Sequence, residues 1–287
     1  MSRVAYVNGR YVPLAQATVH IEDRGYQFAD GVYEVVAVHN GAMLDEIGHL
    51  DRLDRSLKEL EIAAPMGRKA LQGVARELVR RNGLDNALLY IQVTRGVARR
   101  EHGFPNPATK PALVMTIRRT KPPSTAQLDD GVGVITIPDI RWKRVDIKSV
   151  SLLPNILGKE QARRAGAYEA WMVDEAGKVT EGTSTNAWIV TKDGTLVTRE
   201  VGPHILAGIT RTSILRLAKK AGLKIEERPF TVAEAQNARE AFLSSATAWA
   251  LPITSIDGKP VGNGHPGSMT MDLRAAYQRE IAEAGQA

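Results

Sequence analysis

Short strand-like runs alternate with helical segments along the chain, and this alternation most restricts the folds open to it. Residues 4–7 and 11–13 flank Asn8-Gly9, a pair that suits the left-handed angles of a hairpin turn. Residues 48–62 place leucines on one stripe of a helix. Further strand-like runs lie at 88–94, 112–117, 132–137, 169–173 and 186–191. Interspersed strands and helices with short connections predict an α/β or α+β protein.

A segment with two prolines followed by small polar residues, RRTKPPSTAQ at 118–127, interrupts this pattern. Such a composition is typical of a linker. We therefore predict a linker at 121–128 that joins a smaller N-terminal α+β domain, residues 1–120, to a larger C-terminal α/β domain, residues 129–287. A chain of 287 residues is long enough for two domains that each bury a core.

Composition narrows the classes of function. The net charge is +6, but lysine and arginine are interleaved with acidic residues, so no basic tract predicts a nucleic-acid partner. No run approaches the ~20 apolar residues of a membrane helix, and the first residues do not resemble an export signal. We expect a cytoplasmic protein. The chain has no cysteine, and its histidines lack metal-ligand spacing, so we expect no metal site.

Three polar motifs contain residues suited to chemistry. Lys148 lies in RWKRVDIKSVS, and an amine among apolar and cationic neighbours is more nucleophilic towards an aldehyde. Glu181 lies in TEGTSTN, where it could cap a turn or face a protonated ring nitrogen. Gly208 and Thr210 of GITR fit an ordinary helix start and an anion site about equally well. Ser245 ends a possible strand. Taken singly, each of these signals is weak.

Taken together, the motifs resemble the fold-type-IV pyridoxal-phosphate enzymes. The spans occur in that family's order: EDRGYQFADGVYEVV (22–36), HLDRL (49–53), VTRGVARREHGFP (93–105), DIKSVSLLPN (146–155), TEGTSTN (180–186) and GITR (208–211). The R-x-H element, Arg100-Glu101-His102, resembles that of the D-amino-acid aminotransferase branch. The resemblance implies the family's two-domain fold, pyridoxal 5'-phosphate as cofactor, and transamination of D-amino acids with a 2-oxo acid such as 2-oxoglutarate or pyruvate.

The same resemblance implies a role for each motif residue. Lys148, in the C-terminal domain, would form the Schiff base and carry the proton, and Glu181 would pair with the pyridine nitrogen. The remaining cofactor contacts would come from Arg52, Leu206, Ile209, Thr210 and Ser245. The substrate α-carboxylate would be bound by Tyr33, Arg100 and His102. Arg100 and His102 would come from the partner subunit, which implies a homodimer with its active site at the subunit interface.

Other functions stay open because Lys148, Glu181 and GITR are shared across the wider group. A branched-chain L-amino-acid aminotransferase or an aminodeoxychorismate lyase would have the same three features. The branched-chain enzymes are not expected to have the R-x-H element. A non-enzymatic basic binding protein is the alternative from a different class. Ala246 stands where relatives usually have a threonine that contacts the phosphate.

Overall fold

The structure is a computed structural model that describes residues 3–284. It contains two compact units. The first unit extends to Thr120 and also includes Ile147–Ser151, and the second contains Lys121–Asp146 and the chain from Leu152 onward. The ends of the two predicted domain ranges, residues 1–2 and 285–287, lie outside the described residues.

Between residue 3 and Thr120 the first unit contains six strands and three α-helices. These are β1 (Val4–Val7), β2 (Arg10–Pro13), α1 (Arg24–Phe28), β3 (Gly31–His39), β4 (Ala42–Met43), α2 (Glu46–Glu59), α3 (Arg68–Asn82), β5 (Ala87–Thr94) and β6 (Ala112–Arg119). The strands form one antiparallel sheet in the order β2-β1-β6-β5-β3-β4. The predicted hairpin is confirmed, because Val7 pairs with Arg10 and both turn residues have positive φ angles.

One face of this sheet packs against α2 and α3 to form the core of the first unit. The predicted leucine stripe lies at this contact: Leu50, Leu53 and Leu57 are buried, and Leu60 packs at the edge of the cluster. Full burial of each leucine stabilises the fold by about 1.5–3 kcal/mol. Alternation along β3 turns Val32 and its even-numbered neighbours to this core and leaves Tyr33 on the opposite face.

The segment Ile147–Ser151 pairs with the edge of β3. The amide of Tyr33 donates a hydrogen bond of 2.9 Å to the carbonyl of Lys148, and the amide of Val150 donates one of 3.0 Å to Gly31. β4 covers only the far end of β3, so this part of the edge accepts another segment. The pairing corrects the expectation that the C-terminal domain holds Lys148. Part of the predicted linker is also helical, because Ser124 caps a short helix over Thr125–Asp129.

Up to residue 284 the second unit contains nine strands and five α-helices. These are α4 (Thr125–Asp129), β7 (Val132–Pro138), α5 (Leu153–Arg164), β8 (Glu169–Val173), β9 (Val179–Gly182), β10 (Asn186–Val190), β11 (Leu196–Thr198), α6 (Ile209–Lys220), β12 (Ile225–Glu227), α7 (Val232–Gln236), β13 (Glu240–Ser245), β14 (Trp249–Ile256), β15 (Lys259–Pro260) and α8 (Ser268–Ala284). The predicted mixture of helices and strands is confirmed.

The second sheet is mixed, in the order β12-β11-β10-β13-β14-β7-β8-β9, with β15 beside β14. β7 runs parallel to both β8 and β14, and β11 runs parallel to β12. Every residue of β10 is buried, as expected of a strand covered on both faces. Trp188 stacks on Phe242 in the adjacent strand with ring centroids 5.2 Å apart. Within residues 3–284 no helix has both the length and the apolar character needed to cross a bilayer.

Candidate active site

Lys148 and Tyr33 lie side by side in the first unit. Ile147 is buried in the core, and the backbone hydrogen bond to Tyr33 fixes the next residue against β3. The Lys148 amide also donates a hydrogen bond of 3.3 Å to the Ser56 hydroxyl. With its backbone held in this way, Lys148 places its Nζ 4.4 Å from the centroid of the Tyr33 ring. The structure thus brings together the predicted cofactor lysine and one predicted substrate residue.

On the opposite face of β3, Glu34 forms a buried network with Arg52 and His49. The Arg52 Nε and Nη2 donate hydrogen bonds of 2.8 Å to the two carboxylate oxygens, and His49 Nδ1 lies 2.7 Å from Oε2. Burial raises the pKa of Glu34, but the hydrogen bonds and charge of Arg52, with help from His49 and Lys148, lower it to about 2. Sequence reasoning found Arg52 and missed Glu34, although an acid within the apolar run GVYEVV was a visible signal.

Arg100 and His102 lie on the connection between β5 and β6, and both side chains are exposed. The Arg100 guanidinium carbon is 5.0 Å from the Phe28 ring centroid, and the His102 ring is 5.6 Å from it. The structure therefore groups this predicted pair of residues around one aromatic ring. Sequence reasoning did not find Phe28.

In the second unit, Glu181 is held by donors from three places in the sequence. Its carboxylate accepts hydrogen bonds of 2.5 Å from Arg141 Nη1, 3.0 Å from Asn186 Nδ2 and 3.1 Å from the Leu206 amide. Only 6% of Glu181 is exposed. The carboxylate is therefore anchored as a rigid hydrogen-bond acceptor. From the sequence, Arg141 was predicted only as a cationic neighbour of Lys148. Its contact with Glu181 was not predicted, because the two residues are 40 positions apart.

Arg141 also pairs with Asp139 at 2.7 Å. Burial raises the pKa of Asp139, but hydrogen bonds and charge from Arg141 outweigh it and lower that pKa. For Arg141 itself, burial lowers the pKa, and the two carboxylates together raise it well above its usual value. Asp139 and Arg141 therefore both remain charged at neutral pH, and each side of the guanidinium has an acidic partner.

Gly208 precedes α6 for a steric reason. A Cβ at this position would come within 2.0 Å of the Asn186 Oδ1, so glycine allows the Asn186 amide to reach Glu181. Asn186 also donates a hydrogen bond of 3.0 Å to the Leu206 carbonyl. The start of α6 is thereby tied to the Glu181 cluster. Since Gly208 is the N-cap, Thr210 is the second residue of the helix and is not the capping residue.

Three of the remaining predicted cofactor-binding residues, Ile209, Thr210 and Ser245, lie at the ends of elements in the second unit. Ile209 and Thr210 form the first turn of α6, where free N–H groups and the helix dipole favour an anion. Ser245 ends β13, and its hydroxyl lies 3.2 Å from that of Thr247. Its neighbour Ser244 is buried and accepts a hydrogen bond from the Trp188 indole, a structural role. Within residues 3–284 no cluster of acidic, histidine or cysteine side chains could hold a metal ion.

Comparisons with known proteins agree with the motifs. The family described as amino-transferase class IV matches residues 31–256. A D-alanine aminotransferase of Bacillus licheniformis is 42% identical over 274 residues, which cover 96% of this chain and 95% of the relative. One of Listeria monocytogenes serotype 4b is 40% identical over 279 residues, covering 97% and 96%.

The fold also matches a solved structure, the branched-chain aminotransferase of the thermophilic archaeon Thermoproteus uzoniensis with norvaline. Its TM-score is 0.85 at 26% identity, and the match covers 97% of this chain and 94% of the other. A further branched-chain amino acid aminotransferase, solved with pyridoxamine 5'-phosphate, matches with a TM-score of 0.89 at 25% identity. The chain belongs to the class IV aminotransferase family, has its fold and is an aminotransferase. The family predicted from the motifs is thereby confirmed.

Proposed function

We propose that the protein is a pyridoxal-phosphate-dependent aminotransferase that acts on D-amino acids with a 2-oxo acid such as 2-oxoglutarate or pyruvate. The observation that carries the proposal is the half-buried Lys148 amine beside the Tyr33 ring. An amine in this setting can link covalently to an aldehyde and move a proton. The two relatives at 42% and 40% identity, both D-alanine aminotransferases, support the choice of D-amino acids.

The residues of each unit fit this cofactor. When bound, pyridoxal phosphate supplies an electron sink that stabilises negative charge at the substrate α-carbon. Lys148 would hold the cofactor covalently and would carry the α-proton. Glu181 would keep the pyridine nitrogen protonated. Its carboxylate is suited to this role because hydrogen bonds from Arg141, Asn186 and the Leu206 amide fix its position. The phosphate and ring contacts would come from Arg52, Leu206, Ile209, Thr210 and Ser245.

Substrate recognition rests on Tyr33, Arg100 and His102. Arginine suits an α-carboxylate because its planar fork donates two parallel hydrogen bonds. Arg100 and His102 are exposed on their loop, which supports their donation to the active site of a partner subunit in a homodimer. The cytoplasmic location stays a prediction from the sequence.

A branched-chain L-amino-acid aminotransferase is the second candidate. The match to the Thermoproteus uzoniensis enzyme favours it. The element formed by Arg100 and His102 weighs against it, as does the higher identity to the D-alanine aminotransferases, 42% against 26%.

The absorbance spectrum of the purified protein tests the proposal. We expect a visible band from the bound cofactor that is lost on addition of D-alanine and kept on addition of L-alanine or L-leucine. Loss with L-leucine alone would establish the second candidate, and a protein without the band after supply of pyridoxal phosphate would refute the cofactor assignment. Lys148→Ala should abolish the band and transamination, whereas Lys143→Ala, an exposed lysine of the same segment, should change neither.

A further inference from the structure

Helix α1 is clamped to the end of β5. The Asp23 carboxylate accepts hydrogen bonds from the Gly25 amide at 2.8 Å and from the Thr94 hydroxyl at 2.9 Å. A Cβ at Gly25 would come within 2.2 Å of the Thr94 methyl group, so the helix backbone lies directly against the strand. The Arg24 amide donates a further bond of 2.9 Å to Gly96. These contacts make α1 a fixed part of the first unit.

Arg24 connects this helix to the backbone of the R-x-H element. Only 3% of Arg24 is exposed. Its Nε donates to Asp30 at 2.8 Å, its Nη1 donates to the Glu101 carbonyl at 2.6 Å, and its Nη2 donates to the His102 carbonyl at 3.4 Å. A buried guanidinium with a fixed acidic partner thereby sets the position of the loop backbone.

Phe28, at the other end of α1, contacts the side chains of the same element. Its ring is half-buried. The ring centroid lies 5.0 Å from the Arg100 guanidinium carbon, 5.6 Å from the His102 ring centroid and 4.9 Å from the Arg24 guanidinium carbon. An exposed arginine otherwise samples many rotamers. A cation held near an aromatic face loses part of that freedom before any substrate arrives.

We propose that Phe28 is a positioning residue for substrate recognition, whose ring orients Arg100 and His102 as one carboxylate-binding pair. This inference rests on the proposed function, in which that pair binds the α-carboxylate. The Phe28 ring cannot itself bind an anion, so it acts through the two side chains that contact it. Preorganised donors lose less freedom when the carboxylate binds, which raises affinity.

Phe104 provides a matched comparison in the same loop. Its ring lies 3.7 Å from the Arg95 guanidinium carbon. Arg95 is already fixed by Asp30 and by the carbonyls of Leu60 and Glu61. The Phe104 ring therefore covers an arginine that needs no further orientation, and that arginine has no part in the proposed carboxylate site.

Phe28→Leu tests the proposal in the holoenzyme because leucine keeps apolar bulk and removes the aromatic face. We expect the KM for D-alanine and for the 2-oxo acid to rise about tenfold, with cofactor absorbance and Tm unchanged. Phe28→Tyr keeps the ring and should retain the wild-type KM. Phe104→Leu should change KM by less than about twofold.

A double-mutant cycle distinguishes an effect of Phe28 through Arg100 and His102 from an effect that is independent of those side chains. In an Arg100→Ala/His102→Ala background, Phe28→Leu should cause no further rise in KM, since the ring acts through those side chains. A wild-type KM in Phe28→Leu, or an equal rise in both backgrounds, would overturn the positioning role alone. A wild-type KM in the Arg100→Ala/His102→Ala enzyme would remove the carboxylate site of the proposed function, and the role of Phe28 with it.

Discussion

Replacing Glu34 with glutamine would remove the central charge of the buried network in the first unit. Glu34 has no exposed surface, and its carboxylate accepts hydrogen bonds from the Nε and Nη2 of Arg52 and lies 2.7 Å from His49. Glutamine has nearly the same shape but leaves the buried guanidinium without its carboxylate. Breaking a buried ion pair from one side costs about 3–5 kcal/mol.

The pKa of Glu34 gives a second measure of the same effect. Burial raises this pKa, yet the interactions with Arg52 and His49 lower it from 4.5 to about 2. One pKa unit corresponds to about 1.4 kcal/mol, so ionisation of Glu34 contributes on the order of 3 kcal/mol to folding. Because the pKa is lower in the folded state, this contribution is present above the unfolded pKa and is lost as pH falls towards about 2.

Hydrogen exchange is the suitable assay. All four tryptophans, Trp142, Trp171, Trp188 and Trp249, lie in the second unit, so their fluorescence does not report on β3. Exchange of amides in β3 and α2 measures the free energy of opening of the first unit. At about pH 7 we expect Glu34→Gln to lower it by about 3 kcal/mol, and the difference from wild type should shrink as the pH falls below about 4.

Glu77→Gln is the matched control in the same unit. Hydrogen bonds from Arg80 and Arg81 also lower the pKa of Glu77 to about 2, but this group lies at the surface of α3, where water screens its charge. We expect little change in stability. If the Glu34→Gln protein had the exchange rates of the Glu77→Gln protein, or the same pH dependence as wild type, the stabilising role of the Glu34 charge would be refuted.

Three further predictions concern the site. Arg100→Ala should weaken the binding of amino acids through their α-carboxylate by about 1.5–3 kcal/mol, measured as a higher KM. Loss of the cofactor absorbance in that variant would contradict the assignment of Arg100 to the substrate. Arg141→Met, which removes the donor to two largely buried carboxylates, should lower the stability of the second unit by about 3–5 kcal/mol; unchanged urea unfolding by tryptophan fluorescence would contradict it. Gly208→Ala should destabilise this unit by about 1–3 kcal/mol because its Cβ collides with Asn186, whereas Gly202→Ala meets open space and should not.

Local patterns were sufficient for much of the fold. The Asn8-Gly9 turn and the leucine stripe of α2 were predicted because each depends on residues a few positions apart. The placement of Lys148 could not be predicted in this way. Its segment pairs with the edge of β3, more than a hundred residues earlier in the chain, and no local signal records which edge a segment will join.

The order and spacing of the motifs were enough to identify the family, because the motifs are short, recognisable stretches. The roles of Lys148 and Glu181 stay predictions from the same motifs. The tertiary structure alone decided what surrounds them. Glu34 on a strand pairs with Arg52 on a helix, and Arg141 pairs with Glu181 from a distant part of the chain. The Phe28 ring, on another helix, lies 5.0 Å from the Arg100 guanidinium carbon. Such contacts depend on strand register and helix packing over long separations, which short-range sequence patterns do not encode.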